Sequence, residues 1–284
     1  MKMLITGGDG FIGQACIQNW INIHDITSLD KKSGVDLCAD SLILECAIAD
    51  CDIVYHLASP VGIDLIDAHK DSFLNDMIKM NLKVFNLVKK HNKKIVFFST
   101  SEVYKECESA VETDDLTVGS PDTPRWGYAS GKLTSEFLCK SLCPQCVIVR
   151  PFNISGRGDR KGVLSSFIQH IKNDKDIIVH GDGTQTRAFC DVRDLVGFLN
   201  VVNTQKFNGQ IYNVGNPKNI SSILELANLC KTLSRSNVDI RFSDYSTHFS
   251  KEHRDILKRS PDCSKMNVLY NSKYSLEDTI LHML

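Results

Sequence analysis

Residues 3–13 read Met3-Leu4-Ile5-Thr6-Gly7-Gly8-Asp9-Gly10-Phe11-Ile12-Gly13, a short apolar run, three regularly spaced glycines, then apolar residues again. The first run is that of a buried strand, and Gly10 to Ile23 carries a helical pattern, so the glycines fall on a tight strand-to-helix turn. Gly7 permits the turn, Gly10 lets backbone approach a pyrophosphate, and Gly13 lets the helix lie close to the sheet. The helix start offers free N–H groups and the positive end of a dipole to phosphate. Asp30 follows a second expected strand, Asp25–Leu29, where a carboxylate takes the ribose hydroxyls of a dinucleotide. The pattern predicts a dinucleotide site; the alternative is a glycine turn with no ligand. Asp30 favours NAD over NADP by repelling a 2′-phosphate, while Lys31 and Lys32 would pair with one.

Outward from this turn the same rhythm repeats. Asp52–Leu57 reads as a strand, and Asp71–His91 as a helix with Phe73, Met77, Met80, Val84, Leu87 and Val88 at helical spacing. Ile95–Phe98 is an all-apolar run, as expected of a strand covered on both faces. Tyr128–Leu142 reads as a helix and Cys146–Val149 as a strand. This alternation predicts an α/β fold built on a doubly wound parallel sheet. After Arg150 the rhythm weakens: helix Val163–Lys172, strand Ile177–His180, helix Asp191–Val202, strand Ile211–Val214. Ser222 and Glu225 then form a capping box that opens a helix to Leu233. The expected division is a dinucleotide domain, 1–150, and a smaller C-terminal lobe, 151–284, which carries substrate contacts. The two are expected to interleave, so the cut near Arg150 is approximate.

Composition narrows the class. The 284 residues are 42% hydrophobic and 24% charged, ordinary for a globular chain, and the net charge of -1 gives no basic footprint for nucleic acid or an acidic membrane. No apolar run approaches the ~20 residues of a membrane span, and no secretory leader is legible. The expectation is a cytoplasmic protein whose eleven cysteines are mostly reduced thiols. Cys139, Cys143 and Cys146 have the spacing of an iron–sulfur motif, but they fall on a helix and at the start of a strand, so buried thiols and no metal are expected. His56 ends the Asp52–Leu57 strand and reads as a hydrogen-bonded wall residue rather than a base.

Tyr128-Ala-Ser-Gly-Lys132 is a Tyr-x-x-x-Lys pair on an expected helix. Residues four apart share a face, so phenol and ammonium can address the same nicotinamide. The two positive charges lower the phenol pKa from ~10 towards neutrality. A phenolate can then take the proton of a sugar hydroxyl as its hydride leaves. Thr100-Ser101-Glu102 follows the Ile95–Phe98 strand, and ligands in open α/β sheets bind at the C-terminal ends of strands. Two hydroxyls and a carboxylate are thereby delivered to the active crevice; the alternative is that Thr100 and Ser101 simply cap a helix.

Several stretches resemble one family: GGDGFIG (7–13), YHLASP (Tyr55–Pro60), Asn81, STSEVY (Ser99–Tyr104), the Tyr-x-x-x-Lys pair and RPFN (Arg150–Asn153). So do GDGTQTRAFCDVRDL (Gly181–Leu195), YNVGNP (Tyr212–Pro217) and the Arg-x-Pro-Asp at Arg259–Asp262. Over nearly its whole length the chain resembles the extended short-chain dehydrogenase/reductases, the NAD-dependent nucleotide-sugar epimerases, dehydratases and decarboxylases. YHLASP, STSEVY, Gly162–Ile168 and TQTRAF are most similar to the UDP-glucuronate decarboxylase branch.

The resemblance implies a Rossmann-type domain with bound NAD, a homodimer, and conversion of UDP-glucuronate to UDP-xylose through a 4-keto sugar. A 4,6-dehydratase, a C4 epimerase and an idle NAD-binding regulator are the alternatives. It sets Gly7, Gly10, Phe11, Ile12, Gly13, Asp30, Leu57, Ala58 and Lys132 against NAD. Thr100, Ser101, Glu102, Tyr128 and Lys132 become catalytic, with Thr100 and Tyr128 on the C4 oxygen. Asn153, Arg187 and Arg254 hold the nucleotide sugar; an ion pair is the other reading of Arg187. The chain departs from the pattern in three places. Lys105 replaces the glycine after Val-Tyr, Asp30–Cys51 is short, and Leu269-Tyr270-Asn271 stands where Leu-Gly-Trp is usual.

Overall fold

The computed structural model describes residues 1–39, 42–60, 70–244 and 255–284. The strands are β1 (Lys2–Thr6), β2 (Asp25–Leu29), β3 (Ile53–His56), β4 (Lys94–Phe98), β5 (Cys107–Ala110), β6 (Cys146–Pro151), β7 (Ile154–Ser155), β8 (Ile177–His180), β9 (Thr186–Ala188), β10 (Cys190–Asp191), β11 (Gln210–Val214), β12 (Ile220–Ser222), β13 (Ile240–Ser243) and β14 (Lys258–Pro261). The helices are α1 (Phe11–Trp20), α2 (Leu42–Asp50), α3 (Lys70–Lys90), α4 (Pro124–Leu142), α5 (Val163–Lys172), α6 (Val192–Val202), α7 (Ile223–Ser234), α8 (Ser264–Asn267) and α9 (Leu276–Met283).

These elements form two compact units. The first comprises Met1–Val103, Val118–Arg150 and Val202–Tyr212; the second comprises Tyr104–Thr117, Pro151–Val201 and Asn213–Leu284. Arg150 closes a segment of the first unit, but segments 104–117 and 202–212 each fall on the far side of a single cut there. Strand β5 and the end of the large sheet are therefore traded between the two parts of the sequence.

The large sheet has the order β11-β6-β4-β3-β1-β2. The pairs β2–β1, β1–β3, β3–β4 and β4–β6 are parallel. β3 lies on one side of β1 and β2 on the other, so the winding reverses between β1 and β3. Ligands of open α/β sheets bind in the crevice at such a reversal. β3 and β4 are almost wholly buried, which accounts for their continuous apolar sequence. The core of this unit joins Leu4, Val54, Val84, Phe85, Phe97 and Ile148 with Cys139, Cys143 and Cys146. The three closely spaced thiols are thus core residues, and the Cys143 thiol donates to the Phe85 carbonyl at 3.6 Å. The short Asp30–Cys51 stretch holds α2, whose Leu44 and Ile48 pack into the same core.

The second unit has a four-stranded sheet, β12-β9-β14-β5, and two small parallel pairs, β10–β7 and β13–β8. Leu164, Phe167, Ile177, Leu226 and Ile280 belong to its core. The Ser222–Glu225 capping box is present: Glu225 N–H donates to Ser222 Oγ at 3.1 Å and Ser222 N–H to Glu225 Oε2 at 2.8 Å. Lys105, the departure after Val-Tyr, adopts a φ of +61°, a left-handed conformation that glycine takes without strain. Tyr270, in the divergent Leu-Tyr-Asn, donates to the buried Asp194 carboxylate at 3.0 Å.

Candidate active site

The glycine loop sits at the reversal point. Gly7 has a φ of +77°, and a Cβ there would lie 2.6 Å from the Ala58 nitrogen, so the loop is pressed on the backbone that leaves β3. A Cβ on Gly13 would lie 2.7 Å from Gly8 Cα, so α1 starts against the loop itself. Gly10 is the N-cap of α1 and contributes no side-chain cap; the first turn carries no acidic residue. The N–H groups of Phe11, Ile12 and Gly13 thus begin a helix in the arrangement that receives an anion. A Cβ on Gly10 would meet only Gly7 O, at 3.1 Å, so this edge of the loop is open. Asp30 is held from both sides, by Asp9 N–H at 3.1 Å and Lys32 N–H at 2.9 Å. Lys31, one of the lysines that suited a 2′-phosphate, pairs with Asp36 at 3.1 Å. Tight glycine backbone, a helix start and a fixed carboxylate fit NAD. The cofactor supplies a reversible hydride acceptor.

Behind the loop runs a buried chain of hydrogen bonds. Thr6 Oγ1 is 2.6 Å from His56 Nδ1, and His56 Nε2 is 2.9 Å from Asn81 Oδ1. Asn81 donates to Ser135 Oγ at 2.7 Å, and Ser135 donates to Gly131 O at 2.7 Å. Asn81 Oδ1 can only accept, which makes Nε2 the protonated nitrogen and Nδ1 the acceptor for Thr6. Burial holds the imidazole neutral, with its pKa pushed down to about 3. His56 is a wall residue linking the strand of the glycine loop to the helix of Lys132.

Helix α4 begins at Pro124, one turn earlier than the pattern from Tyr128 suggested; proline is at home in a first turn, where its missing N–H is not needed. Tyr128 is half-buried, its ring 6.2 Å from that of Phe73. Lys132 is buried at 2% exposure, donates to Phe98 O at 2.8 Å and lies over the Phe97 ring. Desolvation brings its pKa down to about 7. Thr100 and Ser101 are buried at the end of β4, and a 3-10 turn follows over Ser101–Tyr104. Glu102 N–H donates to Thr100 Oγ1 at 3.2 Å. The hydroxyl therefore does cap a turn, and it does so as an acceptor, which leaves its proton for another partner.

The extra turn of α4 brings in a residue the sequence reading missed. Arg125 Nε donates to Glu102 Oε2 at 2.6 Å and Nη2 donates to Oε1 at 2.8 Å, a two-pronged pair with both side chains mostly buried. Its position three residues before Tyr128, on the same helix face, was the available signal.

In the second unit, Arg187 is 7% exposed, donates to Thr186 O at 2.8 Å and pairs with Asp255 at 2.7 Å. The ion-pair reading of Arg187 thus describes its state in this structure. Arg259 is its register partner across β9 and β14, and donates to Asn153 Oδ1 at 3.2 Å. Asn153, Arg187 and Arg259 make a cationic, hydrogen-bonding row suited to an anionic group. Arg254 lies outside the described residues.

Residues 3–215 match the model of the NAD dependent epimerase/dehydratase family. The chain belongs to that family. The relatives carry the same message over most of the chain. It is 31% identical to UDP-N-acetyl-alpha-D-glucosaminuronate decarboxylase from Bacillus cytotoxicus, covering 93% of this chain and 90% of that one. It is 29% identical to UDP-glucuronic acid decarboxylase 1 from Danio rerio, covering 94% of this chain and 68% of that one. Among solved structures, UDP-glucuronic acid 4-epimerase from Bacillus cereus, in complex with UDP-glucuronic acid and NAD, superposes with a TM-score of 0.85 at 25% identity, over 99% of this chain and 97% of that one. This epimerase/dehydratase chain is an NAD-dependent enzyme with a Rossmann-type sheet. No helix among the described residues is long and apolar enough to cross a membrane.

Proposed function

We propose that the chain decarboxylates a UDP-linked uronate, UDP-glucuronate to UDP-xylose in the first instance, with NAD bound throughout. The observation that carries this reading is the Glu102–Arg125 pair. A 4,6-dehydratase needs a carboxylate free to remove the C5 proton. Here both Glu102 oxygens receive Arg125 donors, which leaves the carboxylate occupied. A C4 epimerase gives Glu102 no task at all. Decarboxylation needs no base at C5, and an Arg-neutralised Glu102 can stand near the sugar carboxylate without repelling it. The two decarboxylase relatives support the same choice.

The residues divide the work as follows. Tyr128 takes the C4 hydroxyl proton, with Lys132 stabilising the phenolate and Thr100 donating to the C4 oxygen. Oxidation at C4 makes the sugar carboxylate a β-keto acid. The C5–carboxylate bond breaks, its electron pair passes into the C4 enolate, and CO2 leaves. A proton from solvent then adds at C5, and Tyr128 returns its proton to the C4 oxygen; bound NAD would take up the C4 hydride at the start and give it back at the end. Ser101 and Glu102 orient the ring. Asn153, Arg187 and Arg259, with Arg254, hold the anionic groups of the nucleotide sugar, its phosphates or its carboxylate.

The working form is proposed to be a cytoplasmic homodimer. Leu74 on α3 and Phe137 on α4 are exposed apolar side chains, the latter 70% exposed, of the kind a second copy would cover. Sedimentation of Phe137→Asp should give a monomer where the parent gives a dimer.

The reaction is tested by incubating the enzyme with UDP-glucuronate and its 2-acetamido analogue in deuterated water and weighing the products. A pentose nucleotide carrying one solvent deuterium at C5, with one CO2 per turnover, is expected. A hexuronate of unchanged mass whose C4 proton signals in NMR show inversion rejects the reading in favour of an epimerase. Loss of water from UDP-glucose, with both uronates untouched, rejects it in favour of a dehydratase.

A further inference from the structure

Lys132 is one of three charged side chains buried together in the first unit. Glu136, one helical turn on, is 3% exposed, and Arg150 on β6 is 2% exposed. Arg150 Nε donates to Glu136 Oε1 at 2.9 Å and Nη2 donates to Oε2 at 2.6 Å. Ser99 Oγ also donates to Glu136 Oε1. Ser99 directly follows Phe98, whose carbonyl receives the Lys132 ammonium at 2.8 Å, and Ser99 N–H donates to Val149 O at 2.8 Å, beside Arg150. The ends of β4 and β6 and the middle of α4 are therefore closed into one ring of polar contacts. Thr100, Ser101 and Glu102 leave the sheet from that ring, and Tyr128 stands one turn above Lys132.

We propose that Glu136 is a positioning residue for the reaction, keeping the Lys132 ammonium charged and seated on the Phe98 carbonyl because Arg150 and Ser99 fix Glu136 in turn. The argument is one of balance among charges taken out of water. Glu136 without Arg150 would have Lys132, four residues back on the same face, as its available buried counter-charge. The ammonium would then be drawn off Phe98 O and away from the phenol. Arg150 without Glu136 would be an uncompensated buried cation, which opposes a second cation close by. With both present, the pair adds almost no net charge and Lys132 keeps its place.

Among the described residues, the remaining groups around the ammonium do not substitute for this carboxylate. From β3 the neighbour is His56, held neutral; from β4 they are the Phe97 ring and Phe98 O; on α4, Tyr128 one turn away is a phenol. Burial lowers the proton affinity of Lys132 and Glu136 raises it, so the two effects oppose each other near physiological pH. This proposal rests on the Tyr/Lys assignment and not on which sugar is used.

The test reads Lys132 directly. Holoenzyme labelled with 13C-lysine is titrated by NMR, and the signal lost in Lys132→Met identifies the residue. Glu136→Gln should lower its midpoint by about one unit or more, and Arg150→Met should raise it by a similar amount. The double variant Glu136→Gln/Arg150→Met should titrate between the two single variants. A purely architectural pair would lower thermal stability in the single variants and leave the midpoint where it is, and that result overturns the proposal. If the single variants fail to fold, Ser99→Ala decides, since it loosens Glu136 without altering any charge. It should move the midpoint upwards, in the direction of Arg150→Met, and an unmoved midpoint counts against the proposal. No substrate enters the measurement, so failure of the decarboxylase reading would leave this result standing.

Discussion

His56 Nδ1 lies 2.6 Å from the Thr6 hydroxyl on the neighbouring strand, and both side chains are fully shut from solvent. Burial of this imidazole gives the fold a built-in acid sensitivity. The folded imidazole has its pKa pushed down to about 3, against about 6.5 in an unfolded chain. Between those values the unfolded state takes a proton that the folded state refuses, so stability falls as pH is lowered. The contribution is complete above about pH 6.5 and is lost progressively towards about pH 3, with a slope of about 1.4 kcal/mol per unit. Urea unfolding followed between about pH 5 and 6.5 should show this slope in the parent and a shallower one in His56→Gln. Parallel curves would reject the assignment.

Tyr128→Phe should lower turnover by at least ~10²-fold, the lower scale for a positioned acid–base group. Binding of NAD and of the nucleotide sugar should persist, because only one oxygen is removed. Kinetics alongside calorimetric binding separate the two. A variant that turns over at the parent rate removes Tyr128 from the chemistry.

Two glycines in the same loop should fail differently. Gly7→Ala meets the Ala58 backbone at 2.6 Å in a left-handed conformation, so the apoprotein itself should melt lower. Gly10→Leu points into open space, where the nearest atom is Gly7 O at 3.1 Å, so the apoprotein should melt near the parent while NAD binding is lost. Thermal melts with and without NAD check both. Parent-like NAD stabilisation in Gly10→Leu would falsify the placement of the pyrophosphate.

Arg187→Ala should weaken nucleotide-sugar binding by a few kcal/mol, because it removes a buried cation and strands Asp255. Calorimetry with UDP and with the UDP-uronate separates its possible partners. Weaker binding of UDP itself assigns Arg187 to the nucleotide's phosphates, and a loss confined to the uronate assigns it to the sugar carboxylate. Asp255→Asn serves as the control, since it removes the internal partner and leaves the guanidinium in place. If both ligands bind Arg187→Ala as they bind the parent, Arg187 serves only the fold.

By itself the sequence determined what is local along the chain. The glycine turn, the α1 start, the Tyr128–Lys132 face and the Ser222–Glu225 cap each involve residues a few positions apart, and turn geometry or helical spacing relates such residues directly. The strands β1, β3 and β4 were legible because burial on both faces leaves three or four apolar residues in a row in each. Tertiary structure alone decided the partners. Glu102 meets Arg125 across 23 residues, Glu136 meets Arg150 across 14, and Arg187 meets Asp255 across 68. No period or spacing encodes such pairs; each forms because folding removes both charges from water at one place, where an unpaired charge would be costly. The two-residue strands β7 and β10 are too short to show an alternation, and the exchange of 104–117 and 202–212 between the units follows from which sheet edge each segment reaches.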